Sequence, residues 1–186
     1  MRSIFLIIIY FLIPFYVSSQ EKKINDSEID FSKKMEWFSE AKLGIFIHWG
    51  IYSVNGISES WSFFNGYISH SDYMKQLDGF GAEKYDPKEW ANIIKESGAK
   101  YTVITTKHHD GIALWNSKYG KLNSLNSSKS KSDLLTPFVK EVKDKGLKLG
   151  LYYSLPDWSY EDYTVHTNKI KRYNIEDQPK RWGKFL

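Results

Sequence analysis

Three short apolar segments, each running directly into histidine or tyrosine, constrain this chain more than any other feature. Gly44-Ile45-Phe46-Ile47-His48 is the first, Tyr101 to Thr106 the second and Leu147 to Ser154 the third. A helical pattern precedes each. Phe31 to Lys42 places Met35, Phe38 and Ala41 on one side at spacings of three. Asp86-Pro87-Lys88-Glu89 has the side-chain acceptor, first-turn proline and following glutamate of a helix start, and Trp90, Ile93, Ile94 and Ser97 continue it to Gly98. Ser132 or Asp133 caps a further helix whose buried face is Leu134, Leu135, Phe138, Val139 and Val142, with Gly146 as its stop. The order is α-β-α-β-α-β, and strands apolar on both faces belong in a parallel sheet covered by helices.

The fold class is therefore α/β, with parallel strands expected near 44–48, 101–106 and 147–154. Two architectures fit, a (β/α)8 barrel and an open doubly wound sheet. No Gly-x-Gly-x-x-Gly follows the first strand, which argues against a dinucleotide-binding sheet. A barrel takes about 250 residues. These 186 hold three strands and end on a polar, basic tail from Tyr160 to Leu186. The expectation is the N-terminal portion of a (β/α)8 barrel, truncated.

Both ends of the sequence and its composition narrow the setting. Arg2 precedes an apolar run from Ile4 to Val17, and Val17-Ser18-Ser19 offers the small residues of a cleavage site. Residues 1–19 read as a signal peptide, 20–30 as a polar leader and 31–186 as the folded portion. The run is too short, and too interrupted by Pro14, to cross a ~30 Å hydrocarbon core. A secreted or periplasmic protein without stable membrane insertion is expected. The absence of cysteine excludes disulfides, thiol nucleophiles and thiolate metal sites. The net charge of +4 lacks the clustered basic and aromatic residues of a nucleic-acid binder.

Chemistry concentrates where the strands end. The first ends in His48-Trp49-Gly50, the second in Lys107-His108-His109-Asp110-Gly111, and the third carries Tyr152-Tyr153-Ser154 before Asp157-Trp158. In parallel α/β folds the carboxyl ends of the strands form the ligand face. One such histidine alone is most simply a hydrogen-bonded structural residue; three strands ending this way define a site. Metal binding by His48, His108, His109 and Asp110 is disfavoured, because adjacent residues on a regular strand point to opposite faces. A hydroxyl-rich ligand suits the set better, since neutral imidazoles both donate and accept and aromatic rings pack on sugar faces. The long connection from Trp49 to Tyr85 adds Glu59-Ser60-Trp61, while Phe63, Phe64, Tyr67 and Tyr73 read as that loop's own small core. The Lys-rich stretch from Lys121 to Lys131 reads as a solvated loop, and Asn126-Ser127-Ser128 is a glycosylation sequon.

These residues carry a resemblance. Leu43-Gly44-Ile45-Phe46-Ile47-His48-Trp49-Gly50-Ile51-Tyr52-Ser53, Glu59-Ser60-Trp61, Tyr85-Asp86-Pro87-Lys88-Glu89-Trp90, Lys107-His108-His109-Asp110-Gly111 and Leu151-Tyr152-Tyr153-Ser154 resemble the N-terminal half of the α-L-fucosidases of glycoside hydrolase family 29. The resemblance implies a (β/α)8-like catalytic domain and exo-acting hydrolysis of α-L-fucosides with retention, without metal or organic cofactor. It places His48, Glu59, Trp61, His108, His109 and Tyr152 where the family contacts fucose. Tyr152 is preferred to Tyr153 because Gly150, Tyr152 and Ser154 share one strand face. Many members have the Glu and Trp adjacent, whereas Ser60 intervenes here. The family's nucleophile and acid/base carboxylates are expected downstream of Leu186. The alternatives are a non-catalytic fucose-binding protein and a metal-dependent hydrolase on a barrel.

Overall fold

A computed structural model of the protein describes residues 26–159 together with Gly183. The expected signal peptide, the first part of the leader and the basic tail, Gly183 apart, lie outside the described residues. Two compact units divide between Trp37 and Phe38. Of the first, only the opening turns of helix α1 (Asp26–Ala41) are described. That helix begins five residues before the expected Phe31, inside the polar leader. A polar stretch carries no apolar period, so periodicity cannot reveal a helix there.

The second unit is built on a parallel three-stranded sheet. β1 (Gly44–Ile47), β2 (Tyr101–Lys107) and β3 (Lys148–Tyr153) lie in the order β1-β2-β3. Gly44 stands beside Tyr101, which stands beside Lys148, so the three strands start level, and β2 and β3 run two to three residues past the end of β1. The central strand is less apolar than its sequence pattern implies. Thr102, Thr105 and Thr106 are all buried, and their hydroxyls donate to Ile45 O at 2.9 Å, Trp49 O at 3.0 Å and Tyr152 O at 2.8 Å. Buried hydroxyls are tolerated there because each finds a carbonyl of a neighbouring strand or its exit.

Short helices α2 (Trp61–Phe64) and α3 (His70–Met74), with two 3₁₀ turns at Ile51–Ser53 and Lys75–Asp78, give the long first connection a structure of its own. Ile51, Phe63, Phe64 and Tyr73 are buried in it, whereas Tyr67 is exposed. Helix α4 (Pro87–Glu96) follows and starts as its sequence dictates. Asp86 Oδ1 accepts from the amides of Lys88 and Glu89 at 2.9 and 3.0 Å. Its inward face carries Ala91 and Ile94, whereas Ile93 is 57% exposed. Residues three apart share a helix face and residues two apart do not. Helix α5 (Leu135–Asp144) is capped by Asp133, not Ser132, through Leu135 N at 3.0 Å and Thr136 N at 2.8 Å. Phe138 and Val142 of α5 are fully buried.

The segment from Lys121 to Lys131 departs from its expectation as a solvated loop. Its lysines are exposed, but Asn123, Ser124 and Ser128 are buried. Ser128 Oγ donates to Ser124 O and Ser124 Oγ to Ser132 O, each at 2.7 Å. Short polar side chains satisfy the backbone of an irregular segment locally, which lets it pack inward.

Replacing Phe138 by Ala is expected to destabilise the fold by about 3–5 kcal/mol, the cost of an aromatic-sized cavity. Ile93→Ala should change stability by less than about 0.5 kcal/mol. Paired denaturant titrations check both; equal losses would contradict the burial of one and the exposure of the other.

Candidate functional site

The site is assembled by the way β2 ends. The β2–β3 register shifts between Thr105 and Lys107, and the chain leaves the strand after Lys107 to turn at Gly111, whose φ is 82°. A left-handed φ of that size favours glycine. His108 and His109 thus lie beyond the strand, with ring centroids 4.7 Å apart. The expectation that these neighbours point to opposite faces is corrected: alternation holds only while the backbone stays extended. Each ring is held by a serine. His108 Nδ1 lies 2.8 Å from Ser60 Oγ, and His109 Nδ1 meets Ser154 Oγ as well as Pro156 O at 3.3 Å.

The other predicted residues gather around this pair. His48, just past β1, has its Nδ1 2.8 Å from Glu59 Oε1. Its ring is 6.0 Å from both His108 and Tyr152, and Tyr152 stacks on His108 at 5.8 Å and 21°. Tyr153 has turned away, under Lys107 Nζ at 4.9 Å from its ring and 6.2 Å from Trp115. Trp61 stands edge-on to His109 at 5.5 Å. His48, Glu59, Trp61, His108, His109 and Tyr152 therefore form one connected cluster at the carboxyl ends of the three strands. His48 and Glu59 are partly open to solvent, at 39% and 25% side-chain exposure, and so is Trp61 at 37%.

Several further residues, named in the sequence reading at strand ends or in the loop core but not placed among the six site residues, join the cluster. Trp158 stacks on His109 at 4.3 Å and 23° and on Phe64 at 4.6 Å and 18°, which sandwiches the indole between them. Lys107 and Asp157 form a buried ion pair at 2.9 Å that ties the end of β2 to the segment after β3. Asp110, 2% exposed, accepts from the Tyr73 hydroxyl at 2.6 Å and from Ile112 N at 3.0 Å. Their position at strand ends was legible in the sequence, and so was Ser154's place two residues after Tyr152 on the same strand face, but their partners were not. Tyr73 and Asp110 are 37 positions apart, beyond any periodicity.

Burial sets the charge states. It pushes the Asp110 carboxyl up to about 6, against the opposing pull of Tyr73, Ile112 N and Lys107. It pulls His108 down to about 4, helped by His109 and His48 and opposed by Glu59. Burial also raises the Tyr73 and Tyr52 hydroxyls, so both stay protonated. Among the described residues no group of three or more His, Cys, Asp or Glu side chains is placed to hold a metal ion. What the cluster offers is a neutral imidazole, a carboxylate on a second imidazole, and aromatic planes.

These groups stand at the carboxyl edge of a parallel α/β sheet, the place where such folds bind ligands. The family model for alpha-L-fucosidase matches residues 15–184, and the chain belongs to that family. It is 34% identical to an alpha-L-fucosidase of Branchiostoma floridae over 79% of this chain and 36% of that protein. It is also 34% identical to the human plasma alpha-L-fucosidase, over 66% of this chain and 30% of the relative. Among solved structures, alpha-L-fucosidase isoenzyme 1 from Paenibacillus thiaminolyticus superposes with a TM-score of 0.70 at 32% identity, covering 83% of this chain and 37% of its own. A glycoside hydrolase family 29 alpha-L-fucosidase from Bacteroides thetaiotaomicron gives 0.66 at 33% identity, with 81% and 34% covered. The chain thus spans about a third of the length of the curated relatives it matches.

The two buried titrations oppose each other in stability. Asp110 binds its proton more tightly when folded, so its contribution falls as pH rises from about 4 to about 6. His108 binds its proton less tightly when folded, so its contribution rises with pH from about 4 to the unfolded value of 6.5. Relative to the parent, Asp110→Asn should make stability climb more steeply with pH over this window, and His108→Gln should make it climb less steeply. Denaturant midpoints between pH 4 and 7 check the pair; slopes of the same sign would refute it.

Proposed function

We propose that this chain is the N-terminal part of the catalytic domain of an exo-acting α-L-fucosidase that releases terminal fucose from oligosaccharides or polysaccharides with retention. The observation that carries the reading is the convergence of His48, Glu59, Trp61, His108, His109 and Tyr152 on one strand edge. Imidazoles and a carboxylate match the alternating donors and acceptors of sugar hydroxyls, and the indole of Trp61 offers an apolar plane. The two solved relatives named above are alpha-L-fucosidases, and a Thermotoga maritima relative at 36% identity and a TM-score of 0.61 was solved in complex with fucose.

The catalytic carboxylates come from elsewhere in this reading. Retention needs two carboxyl groups ~5–5.5 Å apart, one a nucleophile and one an acid/base. Glu59 is held by His48, and Asp110 is buried beneath the Tyr73 hydroxyl. Glu59 holds a binding group in place, Asp110 is engaged with Tyr73 and Ile112 N, and in this reading the nucleophile and acid/base lie downstream of Leu186.

The same reading closes the sheet into a (β/α)8 barrel. Parallel sheets are ordinarily covered on both faces and paired at their edges. Here Phe46 is 52% exposed, and a cavity of about 390 Å³ between Trp115, Leu135, Val139, Leu151 and Tyr153 opens beside β3. Further strands and helices would cover both. Secretion after removal of residues 1–19 accords with the plasma enzymes among the relatives.

The test is hydrolysis of an aryl α-L-fucoside by the full-length gene product. Turnover indifferent to chelator is expected, with kcat/KM reduced about ten- to a hundredfold in His48→Ala and Tyr152→Phe, one or two hydrogen bonds' worth. Residues 20–186 alone should give no turnover. Binding of fucose without turnover by the full-length product would favour a lectin-like protein. Activity abolished by chelator would favour a metal-dependent hydrolase.

A further inference from the structure

We propose that Asn55 is a site of spontaneous conversion to isoaspartate in the folded protein, and that Asn65, in the same Asn-Gly sequence, is protected from it by its hydrogen bonds.

The reaction is intramolecular and needs no partner but water. The backbone nitrogen of the following glycine attacks the asparagine Cγ, and the new nitrogen–carbon bond closes a cyclic imide. The Cγ–Nδ2 bond breaks, and ammonia leaves with the proton of the attacking amide. Water then opens the imide. Entry at Cγ leaves ordinary aspartate; entry at the main-chain carbonyl leaves isoaspartate, with the chain routed through the side-chain carbon. Glycine favours closure because it sets no Cβ against the ring and leaves the backbone free to rotate.

Sequence and exposure do not separate the two sites. Asn55-Gly56 and Asn65-Gly66 are both exposed. Both glycines have left-handed φ, at 60° and 77°, and a Cβ on either would meet nothing within 4 Å. Hydrogen bonding does separate them. Asn65 ends α2 with φ −82° and ψ −3°, its N–H donates to Trp61 O at 2.9 Å, and the Gly66 N–H donates to Phe63 O at 3.0 Å. The attacking nitrogen is therefore held, and ring closure must both rotate ψ out of its helical value and break that bond. The Gly56 N–H, by contrast, has no hydrogen-bond partner among the described residues. The turn around it is closed by Ile57 N donating to Tyr52 O at 3.2 Å. An exposed amide bonded to solvent exchanges its partner at little cost.

The position gives the modification a consequence. Asn55 lies between His48 and Glu59, inside the turn that the Ile57–Tyr52 bond spans. Isoaspartate adds a main-chain carbon to that turn and a carboxylate shortly before Glu59, whose Oε1 is 2.8 Å from His48 Nδ1. An effect on turnover rests on the function proposed above. The modification does not.

The experiment ages full-length protein in mildly alkaline buffer, once folded and once in urea. Peptide mapping with electron-transfer fragmentation, which distinguishes isoaspartate from aspartate, follows both residues. The rate at each residue in the folded protein is divided by its own rate in urea, so that local sequence cancels. The expected ratio is near unity at Asn55 and about tenfold lower at Asn65, as one hydrogen bond allows. Equal ratios at the two residues, or a lower ratio at Asn55, overturn the proposal. With an aryl α-L-fucoside, turnover of the aged wild type should fall in step with isoaspartate at position 55, while aged Asn55→Gln keeps its turnover. Mapped conversion at Asn55 with turnover intact would uphold the site and remove its coupling to Glu59.

Discussion

The structure depends on β2 being paired in parallel on both sides. A central strand bonded to β1 and β3 in fixed register brings the exits of all three to one edge. The exits are then pinned individually. Thr105 Oγ1 accepts from Trp49 N at 2.9 Å, Ser154 N donates to Lys107 O at 3.0 Å, and Trp158 N donates to His109 O at 2.7 Å. His48, His108 and Tyr152 consequently stand on backbone that is hydrogen-bonded immediately beside them. Groups on rigid elements keep their geometry better than groups on free loops.

Polar burial beneath that edge has a price, and the packing shows how it is met. Asp110 and Lys107 are charged or partly charged groups with almost no access to water. Burying such groups is tolerated only when they are partnered. Lys107 has Asp157 at 2.9 Å and Ser154 O at 3.4 Å, and Asp110 has Tyr73 and Ile112 N. All but the local Asp110–Ile112 N bond join segments far apart in sequence at the point where the histidines emerge. The polar layer under the site therefore aligns its parts, while Phe138, Val142, Ile104 and Ile94 supply the apolar burial that stabilises the fold.

The aromatic wall illustrates the same division. Trp158 is buried between His109 and Phe64, with Trp61 edge-on at 5.2 Å. The stacked indole fixes the plane of the His109 ring, which Ser154 holds at Nδ1. Trp61 itself is partly exposed and retains a surface for a ligand.

Elements and site residues were legible in the sequence wherever the signal is local. Apolar runs of four to seven residues between helix caps define β1, β2 and β3, and Asp86, Asp133, Gly98 and Gly146 mark helix ends because capping chemistry acts within a few residues. The placing of chemistry at strand ends follows from parallel topology, and the family resemblance then singled out the six candidate residues among those groups. Contacts across many residues could not. That Tyr73 reaches Asp110, that Ser60 rather than solvent holds His108, that Lys107 pairs with Asp157, and that Asn123 and Ser128 turn inward depend on segments brought together by packing. So does the side-by-side placing of His108 and His109, since whether a strand continues for two more residues is decided by its neighbours' register. The sequence by itself determined the parts and their order along the chain, because caps, turns and apolar periods are short-range. Only the tertiary structure decided the partners and charge states of the site, because desolvation and hydrogen bonding depend on what surrounds a group in space.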